Sequence, residues 1–170
     1  ALDGLVGGDK TTAIGYQAMH DVGGATVQNS DNNIAIGYRA MSGTWANNKS
    51  EGNTAIGNMA MAGAMDDAAT NVAVGGNALT ALVGGQRNIG IGYNSLAALT
   101  TNSTADLGNI AIGYGALDNL VTGASNIAIG VAAMDAAAGA ISNCVVIGER
   151  AGDAINNTAA DGTVAIGYHA

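Results

Sequence analysis

Residues 109–117 read NIAIGYGAL, and close variants of that nonapeptide recur from one end of the chain to the other. Its glycine returns as Gly15, Gly37, Gly57, Gly75, Gly92, Gly113, Gly130, Gly148 and Gly167, nine copies in 170 residues. Successive glycines stand 22, 20, 18, 17, 21, 17, 18 and 19 residues apart. A constant core motif with filler of variable length is the mark of a solenoid, in which each copy is one coil that buries its apolar side only by stacking on the next. The chain therefore reads as a single repeat array over residues 1–170.

Aligned on the glycine, each position has its own chemistry. The residue just before it is Ile eight times and Val74 once, and three before it stands a β-branched residue in every copy (Thr12, Ile34, Thr54, Val72, Ile89, Ile110, Ile127, Val145 and Val164). Two before is Ala in seven copies, with Gly90 and Val146 as exceptions. Four before is Asn33, Asn53, Asn71, Asn88, Asn109 or Asn126, with Thr11, Cys144 and Thr163 in the remaining copies. Alternation with a period of two predicts a short strand. The β-branched pair is expected to fill the core of the coil, so that Ile110 and Ile112 point inward. The Ala/Asn face, exemplified by Asn109 and Ala111, is expected to carry an amide ladder or to pack against a sister chain.

After the glycine the period changes. Tyr follows it as Tyr16, Tyr38, Tyr93, Tyr114 and Tyr168. Ala stands three residues on (Ser95 once), and Met or Leu stands four on in seven copies, with Gly152 departing. An apolar residue recurs seven on as Val22, Leu82, Leu99, Leu120 and Ile155. Offsets of three, four and seven predict one or two helical turns behind each strand, held by stacking because so short a helix is unstable alone. The glycine is expected to make the corner with a positive φ. The fold class read from these patterns is an all-β solenoid, a parallel β-roll or β-helix, with one short strand and a short helical turn per repeat of 17–22 residues.

The filler, such as residues 28–32, 45–52, 66–70 and 100–108, is rich in Asn, Asp, Ser, Thr and Gly, which is turn chemistry. All length variation sits there, and insertions of this kind collect on one edge of a solenoid, where recognition is concentrated. Residues 1–8 match residues 78–85 in mid-repeat, and the last residues stop at the corresponding alanine of another copy. Neither end carries a polar cap, which leads us to expect a segment of a longer array or a unit that stacks end to end.

Composition narrows the function classes. Five Lys plus Arg stand against 13 Asp plus Glu, a formal net charge of −8, which repels phosphate backbones and anionic lipid and argues against nucleic-acid or membrane-surface binding. No run of 18 apolar residues and no basic leader is present, so neither a membrane-inserted helix nor a signal peptide is read. Cys144, beside Val145, Val146 and Ile147, reads as a buried thiol.

Chemistry-bearing constellations are scarce. His20 and His169 fall in distant repeats, no nucleophile elbow or phosphate loop is written, and the glycines are accounted for by the repeat, so no enzyme, resident metal or cofactor is expected. Asp31 with Asn32 and Asn33, or Asp66 with Asp67, could hold Ca²⁺ between loops, although solvated turn residues are the plainer reading. The triplets at Asn48, Asn102 and Asn157 fit a glycosylation pattern that an Asn/Ser/Thr-rich chain produces by chance. The tyrosine row reads either as a structural ladder or as a sugar-stacking surface. Trp45, alone in a polar insertion, is expected to be an exposed receptor contact.

Three of the motifs, NIAIGYRAM at 33–41, NTAIGNMAM at 53–61 and NIAIGYGAL itself, resemble the repeat of two related settings. One is the left-handed β-roll head of trimeric autotransporter adhesins of the YadA type; the other is the NTAIGYxAL array of bacteriophage tail-fibre and tail-spike proteins. The resemblance covers essentially the whole chain. It implies a homotrimer of parallel rolls about a threefold axis, attached to a host surface through a glycan or protein receptor. The longer units and the AL/AM segment favour the tail-fibre relatives, hence a virion component, with a cell-surface adhesin head as the other setting. A self-assembling extracellular filament is a further expectation. An ice-binding solenoid is a remote one, because the outward positions are read as Ala and Asn rather than Thr.

Overall fold

A computed structural model describes residues 10–21, 30–45, 49–100 and 108–170. The match of residues 1–8 to 78–85, Val22 of the apolar row, and Asn48 and Asn102 lie outside the described residues. The chain is a parallel β-solenoid of about eight turns with almost no helix. Its strands, in chain order, are β1 (Thr12–Ile14), β2 (Ile34–Ile36), β3 (Thr54–Ile56), β4 (Ala68–Ala69), β5 (Val72–Val74), β6 (Gly85–Gln86), β7 (Ile89–Ile91), β8 (Ile110–Ile112), β9 (Ile127–Ile129), β10 (Val145–Ile147) and β11 (Val164–Ile166). The nine three-residue strands form one sheet in the order β1-β2-β3-β5-β7-β8-β9-β10-β11. Its register is that of the motif: Ala35 pairs with Ala55 and Ile36 with Ile56 between β2 and β3, and Ile110 pairs with Ile127 between the adjacent β8 and β9. Strands β4 and β6 make a second, two-stranded parallel sheet on the loop side, extended by a bridge from Glu51 to Ala69.

The faces of the main sheet are the reverse of the expected ones. Ala35, Ala55, Ala73, Ala111, Ala128 and Val146 are fully buried inside the coils, whereas Thr12, Ile14, Ile34, Ile56, Ile91, Ile112, Val164 and Ile166 are exposed and the rest of the β-branched rows are half-buried. The reason is volume. The opposite wall of the coil already supplies the bulk, as Met41, Met61, Leu79, Leu96, Leu117 and Met134 with Leu82, Leu99 and Leu120, all fully buried. A β-carbon on Gly90 would lie 3.4 Å from Leu79 Cγ, so this coil has room for little more than a methyl on the strand side.

Two coils show the constraint by exception. Where Val146 replaces Ala, the partner position is Gly152, and a β-carbon there would sit 3.1 Å from Val146 Cγ1. Where Gly90 replaces Ala, Ser95 replaces the alanine after the corner, with its Oγ 3.1 Å from the site of a Gly90 β-carbon. Each gain in volume is matched by a loss across the same coil, which is how close packing accommodates substitution.

The expected helical turn is absent. The residue two after the glycine has a left-handed φ in all nine copies, from Ala132 at 51° to Gly115 at 63°, and so has the residue four after it wherever the copy is long enough, as at Met19 (49°), Leu79 (52°) and Gly152 (67°). Two overlapping turns result: in the first coil Ala18 N–H donates to Gly15 O at 3.4 Å and His20 N–H to Gln17 O at 3.3 Å. A positive φ at the third residue of a four-residue turn is the type II signature. Non-glycine residues there carry about 1–2 kcal/mol of strain each, offset by bonds between coils such as Arg39 N–H to Tyr16 O and Met19 N–H to Ala40 O, both 2.9 Å. The Ala and Met/Leu offsets marked the buried residues correctly; two tight turns bury the same residues as a helix face. Gly152 stands at a left-handed position, where its lack of a side chain removes the strain.

The repeat glycine does make the corner. Its φ runs from 127° in Gly15 to 142° in Gly57, and a β-carbon on Gly57 would lie 2.5 Å from Gly75 O of the next coil, so conformation and stacking both demand glycine.

The asparagines form the expected ladder, but inside the coil. Asn33, Asn53, Asn71, Asn88, Asn109 and Asn126 are all buried. Asn53 Oδ1 accepts both the backbone N–H and the Nδ2–H of Asn71, each at 3.0 Å, and Asn71 Oδ1 accepts the same pair from Asn88 at 2.9 and 3.0 Å. The second Nδ2 hydrogen ties down the approach to the following strand, from Asn53 to Ala68 O at 2.8 Å and from Asn71 to Gly85 O at 3.0 Å. The ladder ends at Cys144, whose N–H donates to Asn126 Oδ1 at 3.1 Å and whose buried Sγ lies 3.3 Å from Ala160 O.

Replacing Asn71 by Leu strands the Asn88 N–H and the Gly85 carbonyl inside the coil, at about 1–3 kcal/mol for each buried group left unpaired. We expect a clear fall in the urea midpoint for Asn71→Leu and none for Asn156→Ala, whose side chain is exposed.

Candidate functional site

With Ala and Asn inside, the outward side of the main sheet is built from the β-branched rows. Of their eighteen positions all but Thr12 and Thr54 are Ile or Val. Exact register places like residues in lines about 4.8 Å apart between strands and about 6.7 Å apart along them, a flat array of methyl groups. The tyrosine row borders it: Tyr16, Tyr38, Asn58, Gly76, Tyr93, Tyr114, Val131, Glu149 and Tyr168. Among these 27 positions Glu149 is the one charge, in a chain with 18 charged residues. Large charge-depleted apolar surfaces are the kind that interaction sites use.

The sequence held the signal for this surface. Once Met/Leu and the apolar residue seven after the glycine are assigned to the interior, a coil of 17–22 residues has no volume left for two more large side chains per strand. Assigning faces by residue size alone points the strand the wrong way.

The five tyrosines are all exposed, and four of them stack in pairs. Tyr16 and Tyr38 lie 5.7 Å apart at 9°, and Tyr93 and Tyr114 lie 5.5 Å apart at 16°. Asn58 and Gly76 interrupt the row between the pairs. Tyr168 instead meets His169 edge-on at 4.4 Å.

Trp45 is not an exposed anchor. It is 1% exposed and belongs to the core with Met41, Met61 and Met65. Its indole N–H has no hydrogen-bond partner among the described residues. The polar filler around it led to the expectation of exposure, but a coil lengthened by insertion opens interior space that a large ring fills.

The remaining candidates do not converge. The nine repeat glycines are structural corners. His20 Nδ1 lies 3.0 Å from Asp21, and His169 Nδ1 lies 3.4 Å from Asp153, at opposite ends of the sheet. Among the described residues no group of three or more His, Cys, Asp or Glu is placed to hold a metal ion, and no helix is long and apolar enough to cross a membrane. Asp31 and Asp66–Asp67 belong to the approaches to different strands, β2 and β4. Asn157 caps a short 3-10 turn, Thr158–Ala160, with its Oδ1 accepting from Ala159 N–H at 2.9 Å. An open cleft of about 310 Å³ is lined by Ala132, Asp135, Arg150 and Asp153, where the guanidinium partly offsets the two carboxylates.

Beside the Tyr93 stack a short polar chain runs over the coils. Asn77 Nδ2 lies 3.5 Å from Tyr93 Oη and 3.1 Å from Asn94 Oδ1, and Asn94 in turn bonds to the Asp118 carboxylate. Burial pushes the Asp118 carboxyl above its ordinary value, and Asp135 one coil on adds to the shift, while the Asn94 bond opposes it. A raised folded pKa means that ionisation opposes folding. The stability this group gives is complete below the ordinary carboxylate range and is lost as pH rises through the folded value. Asp118→Asn is therefore expected to raise the melting temperature modestly at pH 7 and to lose that advantage in acid.

Tryptophan emission provides a second check. Buried Trp45 should emit well to the blue of free indole and resist acrylamide quenching until urea opens the coil, and a red, readily quenched emission in native buffer would contradict its burial. Comparisons with protein-family models, curated proteins and solved structures gave no match to this chain.

Proposed function

We propose that the chain is a structural and adhesive segment of a fibre, of the bacteriophage tail-fibre kind, working as a homotrimer on a virion. In this reading three rolls meet through their Ile/Val faces, and the loops of variable length are left outward to touch a host surface glycan or protein receptor. The observation that supports it is the uncovered parallel sheet. All-parallel sheets occur almost only with both faces covered, and here one face is covered by the coil's own Met and Leu while the other is bare. Eight strand spacings by the two Ile/Val rows give about 500 Å² per chain, or about 1,000 Å² between two chains, the lower bound of a stable protein interface, and leave the tyrosine row outside it.

Sister chains suit this face because each presents the same lines of methyl groups at the same spacing. The trimer expected from sequence is thus retained with its contact moved from the alanines to the isoleucines. An adhesin head on a cell surface would use the same contact. Exposing a periodic β-branched array also removes the objection that the outward positions are Ala and Asn, which had weighed against ice binding. Hydroxyls at Thr12 and Thr54 alone leave the array far more suited to a dry protein contact than to ordered water.

Light scattering on the purified chain should return three times 16.5 kDa at micromolar concentration. The double variant Ile91→Lys with Ile112→Lys should return the mass of one chain with its β-sheet spectrum kept, since two cations per protomer would face one another across the contact. A parent chain that runs as a monomer overturns the trimer. Ice-recrystallisation inhibition by that same monomer would favour the second reading.

A further inference from the structure

The row of tyrosines is broken at Asn58 and Gly76, and the break has the dimensions of a binding slot. Tyr38 and Tyr93 border it, each 48% exposed and each with one ring face already covered by its stacked partner. The order of the coils turns their other faces toward the gap. Three coil spacings, about 14 Å, separate the two positions. Gly76, without a side chain, lets the Tyr93 ring settle toward its coil: a β-carbon on Gly76 would lie 3.1 Å from Tyr93 Cδ2. Ring contacts, stacked or edge-on, place centroids about 4.5–7 Å apart, so one ring held between two tyrosines needs about 9–14 Å according to its tilt. Asn58, exposed and shorter than the tyrosines of its row, lies between them as a floor on this geometry, and the Asn77 amide donates to Tyr93 Oη and Asn94 Oδ1.

We propose that this slot, bounded by Tyr38, Asn58, Gly76, Asn77 and Tyr93, binds one neutral pyranose ring of a surface glycan. The aromatic faces match the C–H faces of a sugar, and amides on the floor and wall match its hydroxyls as both donors and acceptors. Charge selects against acidic sugars: the net charge is −8, and the polar chain behind Asn77 ends at Asp118. The assignment rests on the attachment reading above and gives it a location on the rod itself, in addition to the loops.

The test is saturation-transfer NMR on the intact chain with the methyl glycosides of glucose, galactose, mannose and N-acetylglucosamine, and with methyl glucuronide as the acidic probe. Transfer to at least one neutral glycoside and not to the glucuronide is expected. The decisive variant is Asn58→Tyr, which fills the slot with the ring that Tyr16, Tyr38, Tyr93 and Tyr114 already carry at the same repeat position, so folding is preserved. Affinity should fall at least about tenfold in Asn58→Tyr and in Tyr93→Ala, with the light-scattering mass unchanged. Transfer from none of the neutral glycosides, or equal transfer in parent and Asn58→Tyr, overturns the slot. If both proteins are retained equally on immobilised bacterial polysaccharide, the slot fails while attachment stands.

Discussion

The fold depends on a stack of buried amides. Asn53 and Asn71 each accept two hydrogen bonds from the next coil, and Asn71 and Asn88 each donate two, from backbone and side chain, to the coil before, so a single oxygen fixes both the spacing and the register of its neighbour. A slip of one residue would leave an amide and several backbone groups unpaired in an apolar interior, at a cost that exceeds the gain from any single apolar contact. Register in turn lines up the alanines inside, the isoleucines outside and the glycines at the corner. Without it, no row on the surface would be continuous.

Register also explains why the turns are tight rather than helical. A helix points its backbone groups along its own axis and would give the neighbouring coil nothing to bind. Alternating the backbone hand after the corner turns N–H and C=O groups toward the coils above and below, as between Arg39 and Tyr16 and between Met19 and Ala40. Residues as unsuited to a left-handed φ as Met19, Leu79 and Leu117 are held there because their side chains are buried and their amides bonded in the same step. The strain is local and the compensation lies between coils, which makes the array cooperative along its length.

A thin interior leaves the sheet with one face for the coil and one for the outside world. Small residues on the strand let Met and Leu from the turns reach across, and the displaced bulk appears outside as the Ile/Val ladder. The same register that makes the ladder flat makes the tyrosines stack, and it turns the substitutions at Asn58 and Gly76 into a gap of defined width. Filler that enlarges a coil changes the interior as well as the loops, as the burial of Trp45 shows.

By itself the sequence determined the solenoid, its nine repeats, a short strand in each, the glycine corners, an amide ladder as one of two roles for the Asn row, and the buried Ala, Met and Leu residues that follow each corner. Each of these follows from spacing, and spacing is a local property of the chain. Only the tertiary structure decided which face of each strand points inward, the hand of the backbone after the corner, and the burial of Trp45. Alternation along a strand marks two faces without saying which is inside, and offsets of three, four and seven fit two overlapping turns as well as a helix. What breaks both ties is the volume enclosed by a stacked coil and the hydrogen bonds its neighbours demand, and these exist only once the coils are assembled.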